Sequence, residues 1–187
     1  FGKPAGEIGA DLRRSAKIIN YGIIYGIGAF GLAQRLGIPQ AQARAYIESY
    51  FAQYPGIRDY MERAKVEAHA QGWVRTLFGR RCYIPEIGNK IPSRRNYAGR
   101  QAINAPIQGS AADIMKRAMI RVARALERER AGARLLLQVH DELVLEVPEG
   151  EVAATARLLK DTMETAAELD VPLVVDVGHG PPWDAAH

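Results

Sequence analysis

The chain has 187 residues, 48% of them hydrophobic and 25% charged, with a formal net charge of +4 at neutral pH. That length and balance describe a globular chain forming one domain or two small ones, not a disordered or fibrous one. Cys82 is the only cysteine, which excludes an intrachain disulfide and fits a reducing cytoplasm, and no apolar run is long enough for a membrane span.

Taken in chain order, the pattern predicts a first helix from near Ile8 into the Gly26-Ile27-Gly28 region. A second follows Pro39, with Ala43, Ala45, Tyr46, Ile47 and Tyr50 on its apolar face. Pro55 breaks it, and a third runs to about Gln71, where Gly72 stops it. Residues 73–77 and 80–84 read as short strands joined at Gly79. Residues 88–92 mark a boundary. The next helix starts at Ser93, bends near Pro106 and leads into an amphipathic helix from about Ser110 to Arg130. Two apolar strands, 135–139 and 143–147, flank His140-Asp141-Glu142, a connection short enough for a tight hairpin. Residues 149–169 read as a helix and 173–177 as a closing strand. Helices gathered around an antiparallel sheet make the fold class α+β. The chain opens on Phe1, with no signal peptide and no initiator methionine, as at a fragment boundary or a processed end.

Charge is unevenly spread. Residues 1–139 carry 23 Lys and Arg against 10 Asp and Glu, whereas residues 140–187 carry 2 against 11. A basic body suits a polyanion, since neutralised phosphates release counterions. Arg117, Arg121, Arg124 and Arg128 fit the wet face of a helix. Arg80, Arg81, Lys90, Arg94, Arg95 and Arg100 cluster around glycine and proline breaks and are better candidates for a nucleic-acid backbone.

Three motifs carry chemistry. Arg13, Lys17, Tyr21 and Tyr25 stand four residues apart, so on a helix they form one stripe about 18 Å long, two cations followed by two rings. Cations match phosphates and aromatic faces match bases, the order of parts in a nucleotide. Alone, such a stripe also describes a solvated basic face grading into aromatic core. Gly22 and Gly26 imply something lying close to the backbone beside each tyrosine, because helical glycine costs about 1 kcal/mol relative to alanine. The hairpin tip places adjacent carboxylates at one point, which suits a hard divalent cation or merely an acidic turn. Arg100, Asn104 and Gln108 repeat the four-residue spacing with donors that reach the acceptors every base pair shows in the minor groove.

These residues are where the chain resembles a family. Arg13-x3-Lys17-x3-Tyr21-Gly22-x2-Tyr25-Gly26 is similar to the nucleotide-binding helix in the fingers of the A family of DNA-dependent DNA polymerases. Gln138-Val139-His140-Asp141-Glu142 is similar to its C-terminal palm motif, and Asn104-Ala105-Pro106-Ile107-Gln108-Gly109-Ser110-Ala111-Ala112-Asp113 to a third segment between them. Order and spacing agree from near Phe1 to His187. The resemblance implies a fingers-like subdomain over residues 1–92 and the C-terminal part of a palm, an antiparallel sheet with packed helices, over residues 93–187. It implies two-metal transfer of deoxynucleotides to a primer end in DNA replication and repair, with Mg²⁺, or Mn²⁺ in its place, on Asp141 and, in a lesser role, Glu142. Arg13 and Lys17 would hold the triphosphate, with Lys17 as general acid. Tyr21 would sit against sugar and base, and Tyr25 near the templating position. Arg100, Asn104, Gln108, Gln138 and His140 would touch the primer–template.

Nothing before Arg13 matches the family's upstream palm motif, which supplies the second metal aspartate. The implied partners therefore include the remaining palm and thumb, and no membrane; the 187 residues alone are expected to be inactive. Two other readings stand beside this one: a single-subunit RNA polymerase, where serine rather than Glu142 would follow the His-Asp pair, and a non-catalytic nucleic-acid-binding module.

Overall fold

The computed structural model describes residues 4–129 and 131–186, and the expected helix end at Arg130 and the chain ends at Phe1 and His187 lie outside them. The elements are α1 (Ala10–Ile24), α2 (Ala29–Leu36), α3 (Gln40–Gln53), α4 (Pro55–Gln71), β1 (Trp73–Arg75), β2 (Arg81–Tyr83), α5 (Pro92–Arg128), β3 (Arg134–Val139), β4 (Glu142–Glu146) and α6 (Val152–Glu164). Helices and two small antiparallel sheets bear out the α+β expectation. The chain divides into two compact units at Gln108/Gly109, inside α5.

In the first unit, α1, α2 and α3 close over Leu32, Ala33 and Ala43, with Ile18, Ile19, Ile27 and Ile47 packed around them. α1 ends where the sequence placed two glycines. Gly26 takes φ +77°, its N–H donates to the Ile23 carbonyl at 2.8 Å, and the Ile27 N–H donates to the Gly22 carbonyl at 2.8 Å. This pair of bonds satisfies the orphan carbonyls of a helix end whose C′ residue is left-handed. Ile27 then folds back so that its Cγ2 lies 3.0 Å from where a Gly22 Cβ would stand, and its Cγ1 3.1 Å from the same point on Gly31. α2, absent from the sequence expectation, thus begins after a corner built around one isoleucine.

A second core joins Ala68, Val74, Ile84, Ile87, Ala98 and Ala102, with Cys82 beside it. Pro55 opens α4 and Gly72, left-handed at φ +78°, ends it, as expected. The β1–β2 ladder pairs Trp73 with Tyr83, Val74 with Cys82 and Arg75 with Arg81. Both strands are shorter than predicted because Thr76 is buried and its hydroxyl accepts the backbone N–H groups of Phe78 and Arg80, closing the turn early. The Tyr60 phenol donates to the Ile103 carbonyl at 2.6 Å, tying α4 to α5, and burial pushes its pKa up to about 12.

Gly26 also receives α5. A Cβ there would meet the Arg100 Cγ at 3.1 Å and the Ile103 Cδ1 at 3.5 Å. Gly26→Ala therefore lowers unfolding stability by about 1–2 kcal/mol, because an L side chain must take a left-handed conformation and displace Arg100. Chemical denaturation measures it, and an unchanged midpoint would contradict this corner.

In the second unit, the C-terminal half of α5, the β3–β4 hairpin and α6 bury Val122, Leu126, Ala133 and Leu159, with Leu143, Leu145 and Val147 packed on them. Helix α5 runs as one element from Pro92 through Pro106 to Arg128, where a helix from Ser93 leading into a second from about Ser110 was expected. Pro106 has no N–H to bond the carbonyl four residues back, yet the helix continues on either side of it. α6 stops at Glu164 instead of Leu169, where the Thr165 hydroxyl donates to the Asp161 carbonyl at 2.7 Å. The closing strand expected over 173–177 is not formed: the segment pairs with no strand among the described residues, and the Val175 N–H donates to Glu164 Oε1 at 3.1 Å. A β-branched apolar run makes a strand only where a ladder partner lies alongside.

Candidate functional site

In the first unit, α1 buries Ile23 and packs Ile18 and Ile19 against α2 and α3, which turns Arg13, Lys17, Tyr21 and Tyr25 outward. All four are exposed, Tyr21 at 56% and Tyr25 at 42%, so the rings are not core. The reading of the stripe as basic surface grading into aromatic core fails on those rings. Neither Arg13 nor Lys17 has an ion-pair partner among the described residues. The Tyr50 phenol donates to Asn20 Oδ1 at 2.8 Å and ties α1 to α3. Tyr50 and Asn20 hold the stripe's helix in place; 30 residues apart in sequence, they gave no local signal.

What lies close to the backbone beside each tyrosine is the protein itself: Ile27 against Gly22, and the Arg100 stem against Gly26. The second contact matters for the site. It seats Arg100, the first of the expected minor-groove residues, beside the end of the cation–aromatic stripe. Arg100 and Gln108 are exposed and Asn104 half-buried; the Arg100 guanidinium stands 5.7 Å from the Tyr97 ring centre. The Asn104 Oδ1 atom is buried with no hydrogen-bond partner among the described residues. A buried polar atom left unpaired costs about 1–3 kcal/mol.

In the second unit, the hairpin differs from expectation by one residue. Glu142 belongs to β4 and pairs with Val139, leaving His140-Asp141 as a two-residue loop. Two-residue hairpin loops need a positive φ at their first position, where glycine, asparagine or aspartate is usual. Here it is His140, at φ +51°, held while Gln138 Nε2 donates to its carbonyl at 2.8 Å. A bulge between Leu135 and Leu137 shifts the register, so that Gln138 faces Leu143 and Leu137 faces Val144. Gln138 thereby shares the sheet face of Leu143 and Leu145. Arg134 and Glu146 pair across the open end of the ribbon.

A left-handed histidine stores strain of about 1 kcal/mol or more. His140→Gly therefore stabilises the protein by about 0.5–1 kcal/mol, less than the full strain because glycine has more entropy to lose. Denaturation midpoints check it, and a loss of stability would mean that the imidazole is a structural prop.

Asp141 and Glu142 are adjacent and exposed at the tip. No cluster of three or more His, Cys, Asp or Glu that could hold a metal occurs among the described residues. Two carboxylates at an open tip fit Mg²⁺, which takes one or two carboxylates and completes its shell with phosphates and water. No described helix is long and apolar enough to cross a membrane.

The sequence profile described as DNA polymerase family A matches residues 1–185. The chain is 54% identical over its whole length to DNA polymerase I of Pseudomonas aeruginosa, covering 20% of that protein. It is 47% identical over 186 residues to the thermostable DNA polymerase I of Thermus aquaticus, covering all of this chain and 22% of that one. Among solved structures it is similar to the polymerase domain of Pol1 from M. smegmatis, in complex with DNA primer-template and dNTP. The TM-score is 0.94 at 46% identity, over 98% of this chain and 32% of that one. The chain thus spans about a fifth of the length of the curated relatives it matches.

Proposed function

Because the chain belongs to DNA polymerase family A, we propose that it supplies the fingers, residues 1–92, and the C-terminal palm, residues 93–187, of a DNA-directed DNA polymerase. The enzyme would join deoxynucleoside triphosphates to the 3′ end of a primer, in bacterial cytoplasm, during replication and repair. The observation that carries this reading is the exposed stripe Arg13–Lys17–Tyr21–Tyr25, with both cations free of acidic partners among the described residues.

In that reaction the primer 3′-hydroxyl attacks the α-phosphorus and the bond to pyrophosphate breaks. Arg13 and Lys17 hold the triphosphate, and the Lys17 Nζ gives a proton to the departing pyrophosphate. Tyr21 packs against the sugar and incoming base, and Tyr25 stands near the templating base. Arg100, Asn104 and Gln108 reach the minor groove of the primer–template, as do Gln138 and His140. Arg100 is seated for this by its packing on Gly26. Asp141 would hold the divalent cation, with Glu142 supporting it. When bound, that cation supplies charge stabilisation to the reacting phosphate oxygens.

Glu142 after the His-Asp pair, and relatives that are DNA polymerases, weigh against the RNA polymerase reading. Primer extension by the chain joined to the region that precedes it in its relatives tests the proposal; failure of the joined protein to extend any primer would leave only a nucleic-acid-binding module. A related expectation concerns metal. The 187 residues alone bind Mg²⁺ only in about the millimolar range, because oxygen sites gain strength from ligand number and charge. Stoichiometric binding at micromolar metal in a calorimetric titration would mean that a different ligand set exists.

A further inference from the structure

The β1–β2 ribbon has two unlike faces. Val74 is fully buried and its rung partner Cys82 lies against the same core, so that face is closed. The other face carries the rungs Trp73–Tyr83 and Arg75–Arg81, about 7 Å apart along the ribbon. The Arg75 guanidinium stands 4.6 Å from the Trp73 ring centre and that of Arg81 4.8 Å from the same ring. Arg75 and Arg81 are exposed, and Tyr83 is 69% exposed.

Two cations directly opposite each other in a ladder repel. The usual remedy is a carboxylate, yet residues 72–85 contain three arginines and no Asp or Glu. Neither Arg75 nor Arg81 forms an ion pair among the described residues. The indole holds both guanidiniums by cation–π attraction, which lowers the entropy each would lose on meeting an anion. The pair is therefore preorganised to receive an anion. The next rung offers Tyr83 as a flat plate beside it.

We infer that this face, Trp73–Arg75–Arg81–Tyr83, binds single-stranded nucleic acid, with a phosphate across the two arginines and an unpaired base stacked on Tyr83. An acidic peptide would satisfy the arginines but would leave the tyrosine without a matching group. Within a duplex, base faces are covered by their neighbours, so stacking on Tyr83 selects an unpaired strand. Resting on the polymerase reading, the natural occupant is the template ahead of the primer end.

The test uses the full-length polymerase and fluorescence anisotropy on two labelled DNAs, one with a long single-stranded template overhang and one blunt-ended. Arg75→Glu sets a carboxylate opposite Arg81, which supports the ribbon while filling the anion receptor. It should weaken overhang binding about tenfold, lower the salt slope by about 0.7 for each phosphate no longer neutralised, and change blunt-duplex binding less than about twofold. Tyr83→Ala should weaken overhang binding about fivefold or more with the salt slope unchanged. Equal losses on both DNAs would reduce the face to general polyanion attraction, and no loss on either would remove it as a site; both overturn the inference. Primer extension by the unaltered enzyme is scored separately, so failure of the polymerase reading is distinguishable from failure of this one.

Discussion

Lys17→Ala in the full-length polymerase should lower the maximal rate of nucleotide addition by about a hundred- to a thousandfold, while primer–template affinity falls less than about threefold. The Lys17 ammonium is one turn from Arg13 on the exposed side of α1 and has no acidic partner among the described residues, so its charge is available to a substrate. A charge aimed at the reacting phosphate stabilises the transition state more than the ground state, and that difference appears in the rate. With duplex grip spread over many side chains, removing one ammonium changes it little. Single-turnover kinetics and equilibrium binding separate the two quantities. Equal losses in both would demote Lys17 to a general phosphate ligand.

Tyr21→Phe should restore strong discrimination against dideoxynucleotides in an enzyme that otherwise accepts them almost as readily as normal substrates. The Tyr21 ring is 56% exposed, so its hydroxyl is free to reach a bound nucleotide. Placed beside the sugar, that hydroxyl can make the interaction that a substrate's missing 3′-hydroxyl leaves unmade. One hydrogen bond near charged groups is worth about 1.5–3 kcal/mol, or roughly ten- to a hundredfold in rate. Chain-termination patterns at several ratios of dideoxy to deoxy substrate report it. Identical patterns for both enzymes would mean that Tyr21 does not face the sugar.

Where a residue's role is set by its neighbours in sequence, the structure could be read in advance. Pro55 and Gly72 bound α4 because one presets the first helical turn and the other relieves the last. The same holds for the tight turn between β3 and β4 and for the outward stripe on α1. Interactions across longer separations stayed hidden. Gly22 and Gly26 signalled close approach, but nothing local said that Ile27 and Arg100 approach them rather than a ligand. The bulge that turns Gln138 onto the face of Leu143 breaks strict alternation without a glycine to mark it. Residues 173–177 carry a strand's pattern but have no ladder partner among the described residues. Among the candidate site residues, the exposed stripe and the carboxylates at the hairpin tip were legible from spacing. The strain at His140 and the orphaned Asn104 oxygen required backbone angles and packing to be seen.

Whether this chain belongs to an enzyme that copies DNA is decided by single-nucleotide primer extension with the full-length protein. A primer–template with one templating base is offered each deoxynucleoside triphosphate in turn, and then each ribonucleoside triphosphate. A DNA-copying enzyme extends with the complementary deoxynucleotide in each case, reacts much more slowly with its ribonucleotide, and loses both reactions in Asp141→Asn. Template-independent addition, a preference for ribonucleotides, or full activity in Asp141→Asn would contradict it.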